Sequence, residues 1–594
     1  MNEPRPFYDQ RVVRGCSWQA LERLVARYAI AKGYKNVRQV GGPGDGGGDV
    51  VATFPSSSGG KGVTWLFQAK HHQSPVGAQV LDETVAALGR YRATKPVIIC
   101  TGGFDGSAFK RKLELDGSEN RIHFELWSLD DFERRGAVLP SDPPFWSSGR
   151  TLREYQEKAI SEIVSRYRGR TTWNALVVLA TGLGKTLTAA EAIRRIKHVA
   201  KRPVRTLVLA HTTDLIRQLE RGFWPLMEPS ESTCIVDGND RPDSFDQLAD
   251  YTTVFATRQS VHNAIEKRIF PTDLFDIVLV DECHHLGSPQ YETILDELAA
   301  GKAHGPFLIG LSATPWRPDG TSLDHRFDDP VIEVGLHEGL RQKFLSAVDY
   351  RMLTDDIDWE AMRALEGASY SATQVNRTLF LPERDDAVVE KIAEAWGELE
   401  EPKRGLVFCG TISHAELVAR KINELGFTRA DTILSQFNGR AIKAYEKSRK
   451  LMDFDDGTIG ILCSVDVLNE GIDTPSVNLV VFQRQTHSRR IFIQQLGRGL
   501  RISHNKSKVL VLDFVSDIKR LAEAAHLKDE IEVGQGPRPG QPVTLMTGNR
   551  VSFQRAGKED LETTKFLNEW LNDMEKIARD EGDPSILMFP RFSF

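Results

Sequence analysis

The chain of 594 residues is poor in cysteine, in long apolar runs and in net positive charge. Its six cysteines, Cys16, Cys100, Cys234, Cys283, Cys409 and Cys463, are scattered, and no two stand at CxxC spacing. That excludes a disulfide scaffold and a cysteine zinc site, and it fits a reducing, cytoplasmic setting. No apolar run approaches the roughly 18 residues of a membrane span, so no membrane partner is expected. The opening stretch, MNEPRPFYDQRVVRG, lacks the apolar segment of a secretory signal. Lys and Arg number 76 against 82 Asp and Glu, for a net charge of −6. A search for nucleic-acid binders by global charge would discard this chain. The charge is uneven, however. Residues 1–40 hold eight basic and three acidic residues, and residues 481–520 hold nine and two. Such segments are where phosphates are expected to be met.

What is present is globular. Hydrophobic residues make up 40% and charged residues 27%, which excludes a mainly disordered or collagen-like chain. The length suggests about four domains. Three stretches break the pattern: residues 140–150 (PSDPPFWSSGR), a polar stretch at 346–390 without strand-like runs, and residues 533–542 (VGQGPRPGQP). Between them, apolar runs such as ALVVL (175–179), TLVLA (206–210), IVLV (277–280) and VLVL (509–512) alternate with helical patterns. Runs apolar at both parities suit strands covered on both faces. The fold class is therefore α/β, with two doubly wound parallel-sheet lobes. The expected domains are 1–140, a linker 141–150, a first lobe 151–345, a connector 346–390, a second lobe 391–530 and a small, mainly helical extension 531–594. The apolar spacing over 558–580 predicts the helix of that extension; it would dock on the motor or mediate self-association.

Residues 180–186, ATGLGKT, follow an apolar strand. Glycines let backbone approach a phosphate, and the N–H groups of the following helix make an anion cradle. Thr181, Gly182 and Gly184 would form that loop. Lys185 would reach the β- and γ-phosphates of ATP, and Thr186 would ligate Mg²⁺. Asp281 and Glu282 follow another apolar strand. Asp281 would hold Mg²⁺, and Glu282 would orient or deprotonate the attacking water.

This set resembles the superfamily 2 helicases and translocases of the DExH type. LREYQEKAI (152–160) is similar to the adenine-reading segment, with Gln156 as base reader. AHTTDLIRQ (210–218), ATRQS (256–260), DECH (281–284), LSATP (311–315), residues 405–410, SVDVLNEGIDT (464–474) and QQLGRGLR (494–501) follow in the family's order. The resemblance implies nucleotide contacts from Gly471 and Asp473, and arginine fingers Arg498 and Arg501 from the second lobe. It also implies that Ser312 and Thr314 link hydrolysis to strand binding, and that Thr257, Arg258 and Thr411 meet the strand backbone. DECH beside QLGRGLR is similar to type I and type III restriction motors and bacterial repair helicases, which implies DNA, duplex or single-stranded.

Upstream lies a different constellation. A helical pattern over 18–32 precedes VGGPGDGGGD (40–49), a short strand (50–54) and TWLFQAK (64–70). Asp49 and the Gln68 oxygen, with a backbone carbonyl, can ligate a hard cation such as Mg²⁺. Lys70 shares a strand face with Gln68 and can position water or stabilise charge on a scissile phosphate. The string GxGDxGxD…QxK, over 42–49 and 68–70, resembles the Mrr-like restriction endonucleases of the PD-(D/E)xK fold. That resemblance implies Glu22 as the helical carboxylate of the site. An ATP-dependent DNA translocase fused to an endonuclease is therefore expected, in restriction or anti-phage defence, with defence-complex subunits as further partners. A repair helicase whose N-terminal block binds DNA without cutting, a non-enzymatic scaffold and an RNA helicase are the alternatives.

Overall fold

The computed structural model describes residues 5, 7–41, 47–55, 62–118, 122–140, 142–147, 151–170, 172–313, 323, 325–353, 369–370, 385–434, 436–437, 440–441, 444–465, 476–483, 506, 508–514, 544–545, 549–554 and 587–588. It forms two compact units: residues 1–180, 184–334 and 443–449 in one, and residues 181–183, 335–442 and 450–594 in the other.

The first unit begins with α1 (Gln10–Arg14) and α2 (Trp18–Ala31). Ser17 caps α2 by accepting from the Ala20 N–H, which satisfies one of the free donors of its first turn. Every residue from Leu21 to Ala29 in α2 is buried. A helix buried all round has partners on opposite sides. On one side lies a five-stranded sheet of β1 (Lys35–Gln39), β2 (Val50–Phe54), β3 (Val63–Lys70), β4 (Lys95–Cys100) and β5 (Glu125–Ser128), in that order. β1, β2 and β3 pair antiparallel, and β3, β4 and β5 pair parallel. Helices α3 (Ala78–Tyr91), α4 (Gly106–Asp116) and α5 (Leu129–Ala137) connect and flank the parallel half. A four-residue turn of helix, α6 (Pro144–Ser147), lies in the predicted linker.

The rest of this unit is a doubly wound sheet. In chain order its elements are α7 (Glu154–Gly169), β6 (Asn174–Leu179), α8 (Lys185–Ala200), β7 (Thr206–Ala210), α9 (Thr213–Phe223), β8 (Thr233–Val236), β9 (Thr253–Thr257), α10 (Arg258–Glu266), β10 (Ile277–Val280), α11 (Pro289–Glu297), β11 (Phe307–Ser312) and β12 (Ile332–Val334). The strand order is β12-β6-β11-β10-β7-β9-β8, with every pairing parallel. All residues of β7, β9, β10 and β11 are buried. Each buried Val, Leu or Ile contributes about 1.5–3 kcal/mol, which is why apolar runs of both parities become central strands.

Helix α2 joins the small sheet to this larger one. Its Arg23 pairs with Asp240 and, at 3.1 Å, with Glu220 on α9. The three side chains are at most 7% exposed. The other Glu220 oxygen accepts from Thr233 at 2.5 Å, and Ser17 donates to Asp240 at 2.8 Å. Arg27 donates to the carbonyls of Glu231 and Glu228, both at 2.6 Å, and lies over the Phe7 ring at 4.3 Å. Burial alone would loosen the Arg23 proton, but Glu220 and Asp240 outweigh it and raise its pKa. The basic excess of residues 1–40 is thus partly internal. Arg23 pairs with acids and Arg27 donates to carbonyls of the neighbouring domain, and both are buried.

The second unit holds an eight-stranded sheet ordered Ala430–Ile433, Ile461–Ser464, Gly405–Cys409, Leu479–Gln483, Lys508–Phe514, Ala347–Leu353, Asn549–Gln554, Thr544–Leu545. It is parallel except for its last pair. Strand Ala347–Leu353 falls in the stretch expected to lack strands. The helix predicted over 558–580 lies outside the described residues. All six cysteines are free and buried. Among the described residues no helix is long and apolar enough to cross a membrane.

Candidate functional sites

The phosphate loop sits where the sequence places it, between β6 and α8. Gly182 and Gly184 have φ of 93° and 88°, the left-handed region that a side chain disfavours. A Cβ on Gly184 would also come within 2.6 Å of the Gln156 side-chain nitrogen, so the loop and the first turn of α7 touch there. Gln156 is buried and accepts from the Arg153 N–H at 3.0 Å, closing the first turn of α7. Helix α8 starts at Lys185, so its free N–H groups lie beside the loop. Thr186 packs on α9: a Cβ on Gly222 would meet its methyl group at 2.6 Å.

Asp281 and Glu282 follow β10 directly. Lys185 Nζ lies 3.5 Å from Glu282 Oε1, and His284 Nδ1 lies 3.3 Å from Glu282 Oε2 and 3.3 Å from Ser312 Oγ. The DECH and LSATP segments are therefore in contact through His284. Glu282 has φ of 48°, an uncommon value for a side-chain-bearing residue and one seen at functional sites. Burial and the neighbouring Glu282 push the Asp281 carboxyl up to about 7. A buried carboxyl group raised beside a second carboxylate is the hard-oxygen setting a divalent cation relieves, so these residues fit such a cation. Thr257 and Thr411 serve as helix N-caps, accepting from the Ser260 and His414 N–H groups. Thr314, Gly471, Asp473, Arg498 and Arg501 lie outside the described residues.

The second site forms on the small sheet. Val50 pairs with Phe67, which sets Asp49 beside Gln68 across β2 and β3. Asp49 is buried, and its Oδ2 accepts from the Ala69 N–H at 2.6 Å. Its carbonyl accepts from the Val40 and Gly41 N–H groups at 2.8 and 3.2 Å. Glu22 of α2 is buried against the same turn, since a Cβ on Gly41 would fall 2.6 Å from its Oε2. Lys70 and Gln68 meet on one face of β3. The Thr84 hydroxyl donates to the Val80 carbonyl at 2.8 Å and so presents a lone pair to Gln68. With the Gln68 amide assigned from these partners, its nitrogen donates to Thr84 and the Val80 carbonyl (3.2 Å) and its oxygen accepts from Lys70 Nζ at 3.0 Å. Gln68 thereby offers oxygen, not nitrogen, beside Asp49, and the donor set fits a hard cation. Among the described residues no cluster of three or more His, Cys, Asp or Glu side chains could hold a metal.

The sequence reading missed Glu83 and Thr84 of α3, which hold Lys70 and Gln68. Glu83 stands thirteen residues beyond Lys70, on another element, where no spacing rule reaches. Arg23 and Arg27 were also missed as buried residues, although arginines four apart within a run of Leu, Val and Ala are a readable sign of buried partners.

Residues 13–134 match the family described as restriction endonuclease (Mrr type), residues 150–317 the type III restriction enzyme res subunit, and residues 386–503 the helicase conserved C-terminal domain. The chain is 27% identical over 462 residues to a type I restriction enzyme EcoAI endonuclease subunit of Escherichia coli, covering 70% of this chain and 54% of that protein. It is 24% identical over 380 residues to the putative ATP-dependent helicase IRC3 of Saccharomyces cerevisiae, covering 62% and 52%. The chain thus spans about half the length of the curated relatives it matches. An ATP-dependent type ISP restriction-modification enzyme, LlaBIII, bound to DNA aligns over 95% of this chain and 40% of its own, at 17% identity and a TM-score of 0.49. By the family models, the chain carries an Mrr-type restriction endonuclease domain, followed by a region matching the type III restriction enzyme res subunit and a helicase C-terminal domain.

Proposed function

We propose that this protein is an ATP-driven DNA translocase or helicase whose N-terminal domain is a Mg²⁺-dependent DNA endonuclease, acting in the cytoplasm in bacterial restriction or anti-phage defence. The observation that carries the reading is two hydrolytic constellations within one compact unit: Lys185, Asp281 and Glu282 at one, and Asp49, Gln68 and Lys70 at the other. The endonuclease would span 1–140, the linker 141–150, the first motor lobe 151–345 and the second 391–530, whose sheet also takes in strand Ala347–Leu353 of the expected connector 346–390.

In the motor, the glycine loop and Lys185 hold the phosphates of ATP, and Glu282 takes the proton of the attacking water. Gln156 lies beside the loop and reads the base, with Gly471 and Asp473 completing the nucleotide contacts. Thr186 and Asp281 would hold Mg²⁺, whose charge offsets that of the phosphates. Arg498 and Arg501 supply guanidinium groups from the second lobe, and the His284–Ser312 contact ties hydrolysis to strand movement. In the endonuclease, Asp49 and Gln68 would hold the cation, Glu22 shapes the turn behind Asp49, and Lys70 stabilises charge on the scissile phosphate.

The test is ATP hydrolysis with duplex DNA, single-stranded DNA or RNA added, run beside cleavage of the same duplex with Mg²⁺. Stimulation by DNA together with cutting supports the reading. Unwinding without cutting under any divalent metal would favour a repair helicase, and stimulation by RNA alone an RNA helicase.

A further inference from the structure

We infer that Glu83, on α3, is a positioning residue of the nuclease that fixes the Lys70 ammonium beside the Gln68 oxygen; this rests on the endonuclease reading above. Glu83 Oε2 accepts from Lys70 Nζ at 3.2 Å, and Glu83 Oε1 accepts from the Gln79 side-chain amide, one turn back in the helix, at 3.0 Å. Both carboxylate oxygens are thus held, so the group has one orientation to offer. Lys70 is 25% exposed and ends a four-carbon stem with many rotamers. A fixed acceptor removes that freedom before substrate arrives, which is how positioning raises a rate.

Three further contacts distinguish Glu83 from an ordinary surface partner. Its neighbour Thr84 orients the Gln68 amide. Its peptide supports the glycine loop: a Cβ on Gly47, where φ is 98°, would fall 2.8 Å from the Glu83 carbonyl carbon and oxygen. Tyr91, the last residue of α3, packs on Gly48, where a Cβ would come within 3.0 Å of its ring. One helix therefore backs the turn leading to Asp49, orients Gln68 and places Lys70. Glu83 is the charged contact of that helix with Lys70, and it acts through the lysine, not on the phosphate.

The test compares full-length wild type with Glu83→Gln, Glu83→Asp and Lys70→Ala. Three quantities are measured: single-turnover DNA cleavage, binding of Mn²⁺ alone, and acylation of Lys70 by a succinimidyl ester followed by mass spectrometry. For Glu83→Gln the cleavage rate constant should fall by at least 10-fold, with half-saturating DNA and Mn²⁺ affinity within twofold of wild type. Lys70 acylation, read without metal or DNA, should rise several-fold. Glu83→Asp should recover part of the rate. A Mn²⁺ affinity that drops with Glu83→Gln makes Glu83 a ligand and overturns the inference. So does unchanged cleavage with unchanged Lys70 acylation. If wild type does not cut, the endonuclease reading fails and this inference with it; cutting by wild type and equally by Glu83→Gln sinks this inference alone.

Discussion

Each candidate site places a lysine against a glutamate, and the two pairs differ in setting. Lys185 and Glu282 lie 3.5 Å apart, with side chains 12% and 13% exposed. Lys70 and Glu83 lie 3.2 Å apart, with side chains 25% and 37% exposed. In the motor the lysine opens helix α8 behind the glycine loop, and the glutamate follows strand β10. In the nuclease the lysine comes from a strand and the glutamate from the helix behind it. On the proposed function, phosphate would compete for Lys185 in the enclosed pair and leave Glu282 to the water. The more open pair would hold its lysine still. The same two residue types thus do different work, set by burial and by what else can reach them.

The largest effects should come from breaking either site outright. Lys185→Ala should lower DNA-stimulated ATP hydrolysis by about 10²–10³-fold, as loss of a charge that faces the transferring group does. Glu282→Gln should lower hydrolysis by about 10²–10⁴-fold while ATP binding persists, measured by equilibrium dialysis of labelled nucleotide. The next effect tests the frame that carries both sites. Arg23→Ala strands Glu220 and Asp240 as buried charges, and should cost about 3–5 kcal/mol in chemical denaturation of the first unit. A smaller effect should come from Gln68→Glu. A carboxylate there would face the Val80 carbonyl and costs about 1–3 kcal/mol, seen as a lower melting temperature with less cutting and unchanged ATP hydrolysis.

The strands that build the motor were legible because their apolar runs are continuous, as in residues 277–280 and 206–210, and both became fully buried strands. The phosphate loop and the acidic pair were legible because motif chemistry there is local in sequence. Strand Ala347–Leu353 was not, because Asp349 and Arg351 interrupt its apolar pattern. The structure pairs Arg351 with Asp349 at 2.9 Å and with Glu398 at 2.6 Å, so the interrupting charges satisfy each other beside the sheet. In the nuclease, Asp49, Gln68 and Lys70 could be read from strand alternation, while the acceptor that holds Lys70 could not. Helix α3 approaches the site from another part of the chain, and its alignment with β3 is decided by packing, not by spacing. The basic surplus of residues 1–40 was visible as a number, but two of its arginines turn inward to bind the neighbouring domain.

The central claim is that one chain carries two separate hydrolytic sites. The most direct measurement is ATP hydrolysis and duplex cleavage on the same Asp49→Ala preparation. The account predicts ATP hydrolysis at the wild-type rate with no cut product. Cut product from Asp49→Ala at the wild-type rate would contradict it.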